Sequence, residues 1–156
     1  MRAFSRTGSL TRRLAAGAAV LACWATLAGA QTLIHRVDGT AAADQWGYAV
    51  GGGHDVDGDG VPDFIVGSPY WDGAGMNRGA ARVFSGATAE LIYQVQNAQD
   101  NAFFGWSVAI VGDLNNDGHA EFLVGAPLFD TGGTDCGRAY LYSGSTGNSL
   151  ANFSGG

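Results

Sequence analysis

Asp55-Val56-Asp57-Gly58-Asp59-Gly60-Val61-Pro62-Asp63 places four carboxylates in one short, glycine-bearing loop. Left alone, such a set repels itself. Carboxylates gather this closely when a cation holds them or when they titrate as a coupled set, and the D-x-D-x-D-G spacing favours the cation. A tightly turning loop can aim the oxygens of Asp55, Asp57 and Asp59 inward, with Gly60 allowing the turn. The Val61 carbonyl and Asp63 then complete an oxygen-only shell that suits Ca2+.

An EF-hand shares this spacing, but it needs a Glu at loop position 12 and a helix on either side. Position 12 counted from Asp55 is Val66, and the flanks Tyr48-Ala49-Val50 and Phe64-Ile65-Val66-Gly67 are short apolar runs ending in turn residues. They read as strands. The loop is therefore expected to cap a β-hairpin.

The stretch Asp113-Leu114-Asn115-Asn116-Asp117-Gly118-His119-Ala120-Glu121 begins 58 residues after Asp55. The same offset, without a gap, sets Gly47 on Gly105, Phe64 on Phe122, Gly67 on Gly125, Pro69 on Pro127, Asp72 on Asp130, Gly79 on Gly137, and Ser85-Gly86 on Ser143-Gly144. This is an internal repeat of a length typical of propellers and other arrays. Each copy reads as four strands: near 48–53, 64–68, 80–85 and 91–95 in the first, and near 106–111, 122–126, 139–143 and 150–153 in the second. Gly, Asp, Asn and Pro clusters separate them. A ninth strand is expected at 33–37, in register with 91–95, as the fourth strand of a unit whose first three are absent.

Residues 1–30 read as a secretory signal peptide. Arg2, Arg6, Arg12 and Arg13 precede an apolar run from Leu14 to Leu27, and Ala28-Gly29-Ala30 gives a small-x-small cleavage site before Gln31. An uncleaved N-terminal anchor is the alternative; a lipoprotein cleaved at Cys23 fits less well, because the apolar run continues past it. The mature chain of 31–156 keeps four arginines, no lysine and all fourteen acids, a net charge of −10. That charge excludes a nucleic-acid footprint and attraction to anionic lipid. It fits an extracellular cation binder with no membrane span after cleavage. Cys136 alone survives cleavage, so no intramolecular disulfide forms within the mature chain.

Phe104-Gly105 followed by Gly125-Ala126-Pro127, with the 113–121 loop between them, resembles the FG-GAP repeat of integrin α-subunit β-propellers and of many bacterial secreted proteins. Trp46-Gly47 and Gly67-Ser68-Pro69 are conservative departures from the same pattern. The resemblance covers nearly all of the mature chain, as repeats at about 46–95 and 104–153. It implies an all-β fold of two four-stranded antiparallel propeller blades plus an N-terminal closing-type strand, in an incomplete ring. It also implies Ca2+ ligands in both loops: Asp55, Asp57, Asp59, the Val61 carbonyl and Asp63, then Asp113, Asn115, Asp117, the His119 carbonyl and Glu121. Propellers close with about four to eight blades. Two blades therefore predict a truncated chain, or else a ring assembled from several copies; an uncovered blade face would otherwise invite self-association.

Other signals carry less. Asp130-Thr131-Gly132 matches the aspartic-protease triplet, yet its counterpart Asp72-Gly73-Ala74 makes the position an acidic turn. His35, His54 and His119 share no spacing and read as loop or surface residues. Cys136 has only Arg138 as a basic neighbour. Trp71 and Phe129 are equivalent aromatics suited to packing between blades or to a partner-binding face. Asn152-Phe153-Ser154 is a glycosylation sequon in a eukaryotic host. No nucleophile, base and oxyanion donor occur at usable spacing. The sequence therefore predicts a secreted or cell-surface (or periplasmic), non-catalytic Ca2+ module that recognises an extracellular protein or glycan. The alternative is an accessory propeller of an extracellular hydrolase whose catalytic domain lies elsewhere.

Overall fold

The computed structural model describes residues 33–39, 41–73, 75–130 and 133–155; the signal peptide expected at 1–30 lies outside them. The chain divides into two units, Met1–Ile34 and His35–Gly156. The second unit holds eight strands: β1 (Ala49–His54), β2 (Asp63–Ser68), β3 (Ala80–Phe84), β4 (Leu91–Gln96), β5 (Ser107–Gly112), β6 (Glu121–Ala126), β7 (Arg138–Tyr142) and β8 (Ser149–Ser154). Among the described residues there is no helix. The strands form two four-stranded antiparallel sheets in the orders β1-β2-β3-β4 and β5-β6-β7-β8. These are two propeller blades, and they do not close a ring.

The repeat is exact in register. Ala49 pairs with Gly67 as Ser107 pairs with Gly125, and His54 pairs with Asp63 as Gly112 pairs with Glu121. Each first strand carries a bulge just before its acidic loop, at Gly52/His54 and at Ile110/Gly112. Gly53 (φ 113°), the extra residue of the first bulge, and Gly112 (φ 84°), the residue just after the second, take left-handed backbone that glycine adopts at little cost. The bulge ends regular pairing and releases the chain into the loop.

The ninth strand does not form. Residues 33–39 carry no strand pairing. The reason is geometric: a fourth strand needs a third beside it, and among the described residues no strand pairs with this segment. Within the second unit this segment is instead tied by side chains. The His35 Nε2 lies 3.0 Å from the Gly86 carbonyl oxygen, and Trp46 Nε1–H donates to the Val37 carbonyl at 3.2 Å.

The core lies between the blades. Val56, Ile65, Ala81 and Val83 from the first blade meet Phe104, Phe122, Val124 and Tyr142 from the second. Phe104, fully buried, sits edge-on to Tyr140 (5.3 Å between ring centroids, 65°), while Phe122 stacks on Tyr142 (5.2 Å, 11°) and on Tyr93 of the first blade (6.1 Å, 23°). The backbone joins the blades as well. Gly79 and Phe104 form a parallel bridge, with Phe104 N–H donating to the Arg78 carbonyl at 3.1 Å. A Cβ on Gly67 would collide with the Gly105 carbonyl, and one on Gly105 with the Ala80 carbonyl, so these two glycines let the blades' main chains pass in contact.

One position breaks the repeat's own rule. Ala89 and Gly147 are equivalent and both left-handed (φ 61° and 70°), each donating its N–H to the Ser four residues earlier, at 2.8 and 2.9 Å. An alanine there costs about 1–2 kcal/mol, and the glycine that relieves it gives back part through unfolded-state entropy. Ala89→Gly is therefore expected to stabilise the protein by about 0.5–1 kcal/mol, read as a rise in melting temperature; an unchanged or lower value would refute the strain.

Candidate metal centre

The first loop hangs between β1 and β2 and is shaped by its own carboxylates. Asp55 accepts Gly58 N–H (2.6 Å) on one oxygen and Gly60 N–H (2.7 Å) on the other. Asp57 accepts Asp59 N–H at 3.1 Å, and Asp59 accepts Val61 N–H at 2.7 Å. These local side-chain-to-backbone bonds are what Asp offers in place of a strand ladder. Asp63, buried, reaches back from the start of β2. It accepts Val56 N–H (2.6 Å) and Asp57 N–H (3.2 Å) on Oδ2 and Gly86 N–H (2.8 Å) on Oδ1.

The result is a three-carboxylate cluster. Asp55, Asp57 and Asp63 each bring an oxygen within 4.8 Å of the other two. Asp59 stands outside the cluster, held on Val61. Partial burial pushes the Asp57 carboxyl above its usual range, and the charges of Asp63, Asp59 and Asp55 add to this against the opposing Asp59 N–H. Every donor is a hard oxygen, and the crowding is of like charge. That combination fits a hard divalent cation, whose charge offsets both the burial and the like-charge crowding at Asp57.

The second loop repeats the scaffold with different chemistry. Asp113 accepts Asp117 N–H (3.1 Å) and Gly118 N–H (2.9 Å), and such backbone donors, Gly118 first, hold its carboxyl below the usual range. Asp117 accepts His119 N–H at 3.0 Å. Glu121 is fully buried and accepts Leu114 N–H at 2.7 Å. Asn115 turns its amide Nδ2 toward two carboxylates, at 3.0 Å from Asp117 and 3.3 Å from Glu121, while its Oδ1 accepts Asp117 N–H at 2.9 Å. An NH2 group thus stands among the anions where the first loop has a third carboxylate. Val61 and His119, the expected carbonyl donors, occupy equivalent loop positions.

Two roles were hidden from the sequence. Asp63 does more than face the loop: through Gly86 it ties β2 to the turn after β3. The invariance of Ser-Gly at 85–86 and 143–144 between the repeats is the one signal that could have pointed there. The second is the His119 ring, whose Nδ1 lies 2.8 Å from the Val56 carbonyl oxygen across the blade boundary; nothing in its spacing marks it.

Asp130, the described residue of the D-T-G triplet, is held by a local main-chain contact. Asp130 Oδ1 accepts Asp135 N–H at 2.8 Å, as Asp72 Oδ1 accepts Asn77 N–H at 2.9 Å in the first blade. Among the described residues no helix is long and apolar enough to cross a membrane.

The FG-GAP repeat matches residues 46–84 and 104–142. The chain is similar to integrin alpha-11 of Homo sapiens (37% identical over 101 residues, 62% of this chain and 8% of that protein) and to integrin alpha-V of Gallus gallus (37% over 89 residues, 57% and 8%). It is likewise similar to integrin alpha-6 of Gallus gallus, at 34% over 120 residues, 74% of this chain and 11% of that protein. The aligned part thus spans only about a tenth of the length of these relatives.

Proposed function

Because the chain belongs to the FG-GAP repeat family, we propose that it is a secreted, Ca2+-binding, non-catalytic propeller module that recognises an extracellular protein or glycan. The observation that carries this reading is the Asp55–Asp57–Asp63 cluster, set on a loop that the chain builds twice. Asp55, Asp57 and Asp63 would hold the cation in the first loop, with Asp59 and the Val61 carbonyl completing the shell. Asp113, Asn115, Asp117, the His119 carbonyl and Glu121 would hold it in the second, once the Asn115 amide turns its oxygen inward. The similarity to integrin α-subunits supports a recognition role, and the local main-chain contact of Asp130 supports a non-catalytic one. Residues 1–30 are the proposed leader; intact mass of protein secreted by the native host should then begin at Gln31.

The first loop is expected to bind Ca2+ more tightly, because it offers four carboxylates to the second loop's three. Extracellular sites of this kind have Kd values of about 10⁻⁴–10⁻³ M. At millimolar Ca2+ each filled site then adds roughly 0.4–1.4 kcal/mol of stability by mass action. Titration calorimetry and melts in Ca2+ and in EDTA test this on the wild type and on Asp57→Ala. The variant should melt lower than wild type in Ca2+ and close to it in EDTA. A wild type with no heat of binding and no Ca2+-dependent shift would reduce both loops to acidic turns.

A further inference from the structure

The two acidic loops touch. Residues 119 and 120 of the second reach across the blade boundary to the main chain of the first. Ala120 N–H donates to the Asp55 carbonyl at 2.8 Å, and the His119 Nδ1 lies 2.8 Å from the Val56 carbonyl oxygen. A carbonyl has no proton to give, so the imidazole donates and its Nδ1 carries the hydrogen. The same ring lies over the first loop's turn: a Cβ on Gly58 would stand 3.0 Å from its Cε1.

Val56 is the meeting point. Its side chain is fully buried in the core. Its N–H is held by Asp63 at 2.6 Å, a carboxylate of the first cluster, and its C=O is held by His119 of the second loop. One residue of the first loop therefore carries a contact from each proposed cation site. The arrangement belongs to this boundary alone among the two repeats, since the residue equivalent to His119 is Val61, whose side chain cannot donate.

We propose that His119 is a positioning residue that links the two loops, so that each binds a divalent cation more tightly when the other is filled. The inference rests on the Ca2+ reading above. His119 stands at the loop position that offers its main-chain carbonyl to the second cation. Filling that site fixes the backbone at 119 and with it the direction of the imidazole. The first loop then receives a partner for the Val56 carbonyl without ordering a free side chain. Such an ordering cost corresponds to about two- to tenfold in affinity, and thermodynamic linkage makes the effect equal in both directions. Because only the main chain of His119 is asked to touch the cation, the side chain can be changed while the ligand set is kept.

Ca2+ titration calorimetry on the full chain tests this. Asp117→Ala, with Asp113→Asn as a milder block, should weaken binding at the first loop about two- to tenfold, and Asp57→Ala should weaken the second loop by the same factor. In a His119→Ala background the same blocks should move the other loop by less than about twofold, and His119→Asn, whose amide can still donate to Val56, should restore part of the linkage. Loops that titrate independently in the wild type overturn the proposal. So does an undiminished linkage in His119→Ala, which would reduce the imidazole to packing that lowers the melting point in EDTA and nothing more. A wild type that gives no heat with Ca2+ is a separate result: it removes the cation reading itself, and the linkage with it.

Discussion

Asp63→Ala is expected to cost about 4 kcal/mol even in EDTA, where no cation can be involved. Asp63 is buried (2% exposed) and its carboxylate accepts three main-chain N–H groups, from Val56, Asp57 and Gly86. Hydrogen bonds to a charged acceptor contribute roughly 1.5–3 kcal/mol each, and truncation also leaves the donors without a partner. The three are not additive, and some relief comes from removing one charge of a crowded set, so the total stays near 4 kcal/mol. For a unit of this size that lowers Tm by about 12–20 °C, a large part of the usual 5–15 kcal/mol of folding stability. Asp59→Ala is the internal comparison: it loses one exposed bond, to Val61 N–H, and should cost under about 1 kcal/mol. Thermal melts of both in EDTA decide the matter. If the two variants melt alike, Asp63 is a surface ligand and the claim that it pins the loop fails.

The second large effect is at the blade boundary. Phe104→Ala is expected to cost about 3–5 kcal/mol, the range for emptying a buried Phe site. Phe104 is fully buried against Tyr140 and Tyr142, between the two sheets. Its counterpart in the first repeat, Trp46, is only half-buried and meets Phe84 edge-on at 5.8 Å. Trp46→Ala should therefore cost about 1–2 kcal/mol despite removing more atoms, because less of the ring leaves water on folding. Chemical denaturation of both variants measures the difference. A Trp46→Ala penalty equal to or above that of Phe104→Ala would show that the boundary between the two blades is not where the core lies.

The fold was legible because its signals are spaced turns. Two acidic loops, two G-x-P turns and a gapless 58-residue offset fix eight strands to within a residue or two of where they form. The strand expected at 33–37 shows the limit of that logic: side-chain pattern is inherited from the repeat, but hydrogen-bonding partners are not. In the loops, the oxygen-rich spacing pointed to the Asp55–Asp57–Asp63 cluster, yet could not separate Asp59 from it, since all four carboxylates look alike in sequence. The orientation of the Asn115 amide was equally invisible, because an amide fits among carboxylates by its NH2 and around a cation by its oxygen. His119 was out of reach for a different reason. Its partner lies 63 residues away, in the other repeat, and a histidine that meets a main-chain carbonyl leaves no residue type at the far end to be read.

The bridge between Gly79 and Phe104 bears on how such a chain can grow. The residues that clasp the first blade, Asn101, Phe103 and Phe104, donate their N–H groups to Met76, Asn77 and Arg78, and they precede β5 in the chain. They therefore travel with the second repeat, not with the blade they grip. A gene segment that starts just upstream of the aromatic-glycine pair and ends before the next one encodes both a sheet and the clasp that fastens it to whatever sheet came earlier. Tandem copying of that segment needs no new joint to be invented. Lengthening the array by one unit then becomes a single genetic event, and selection is left to tune the loops.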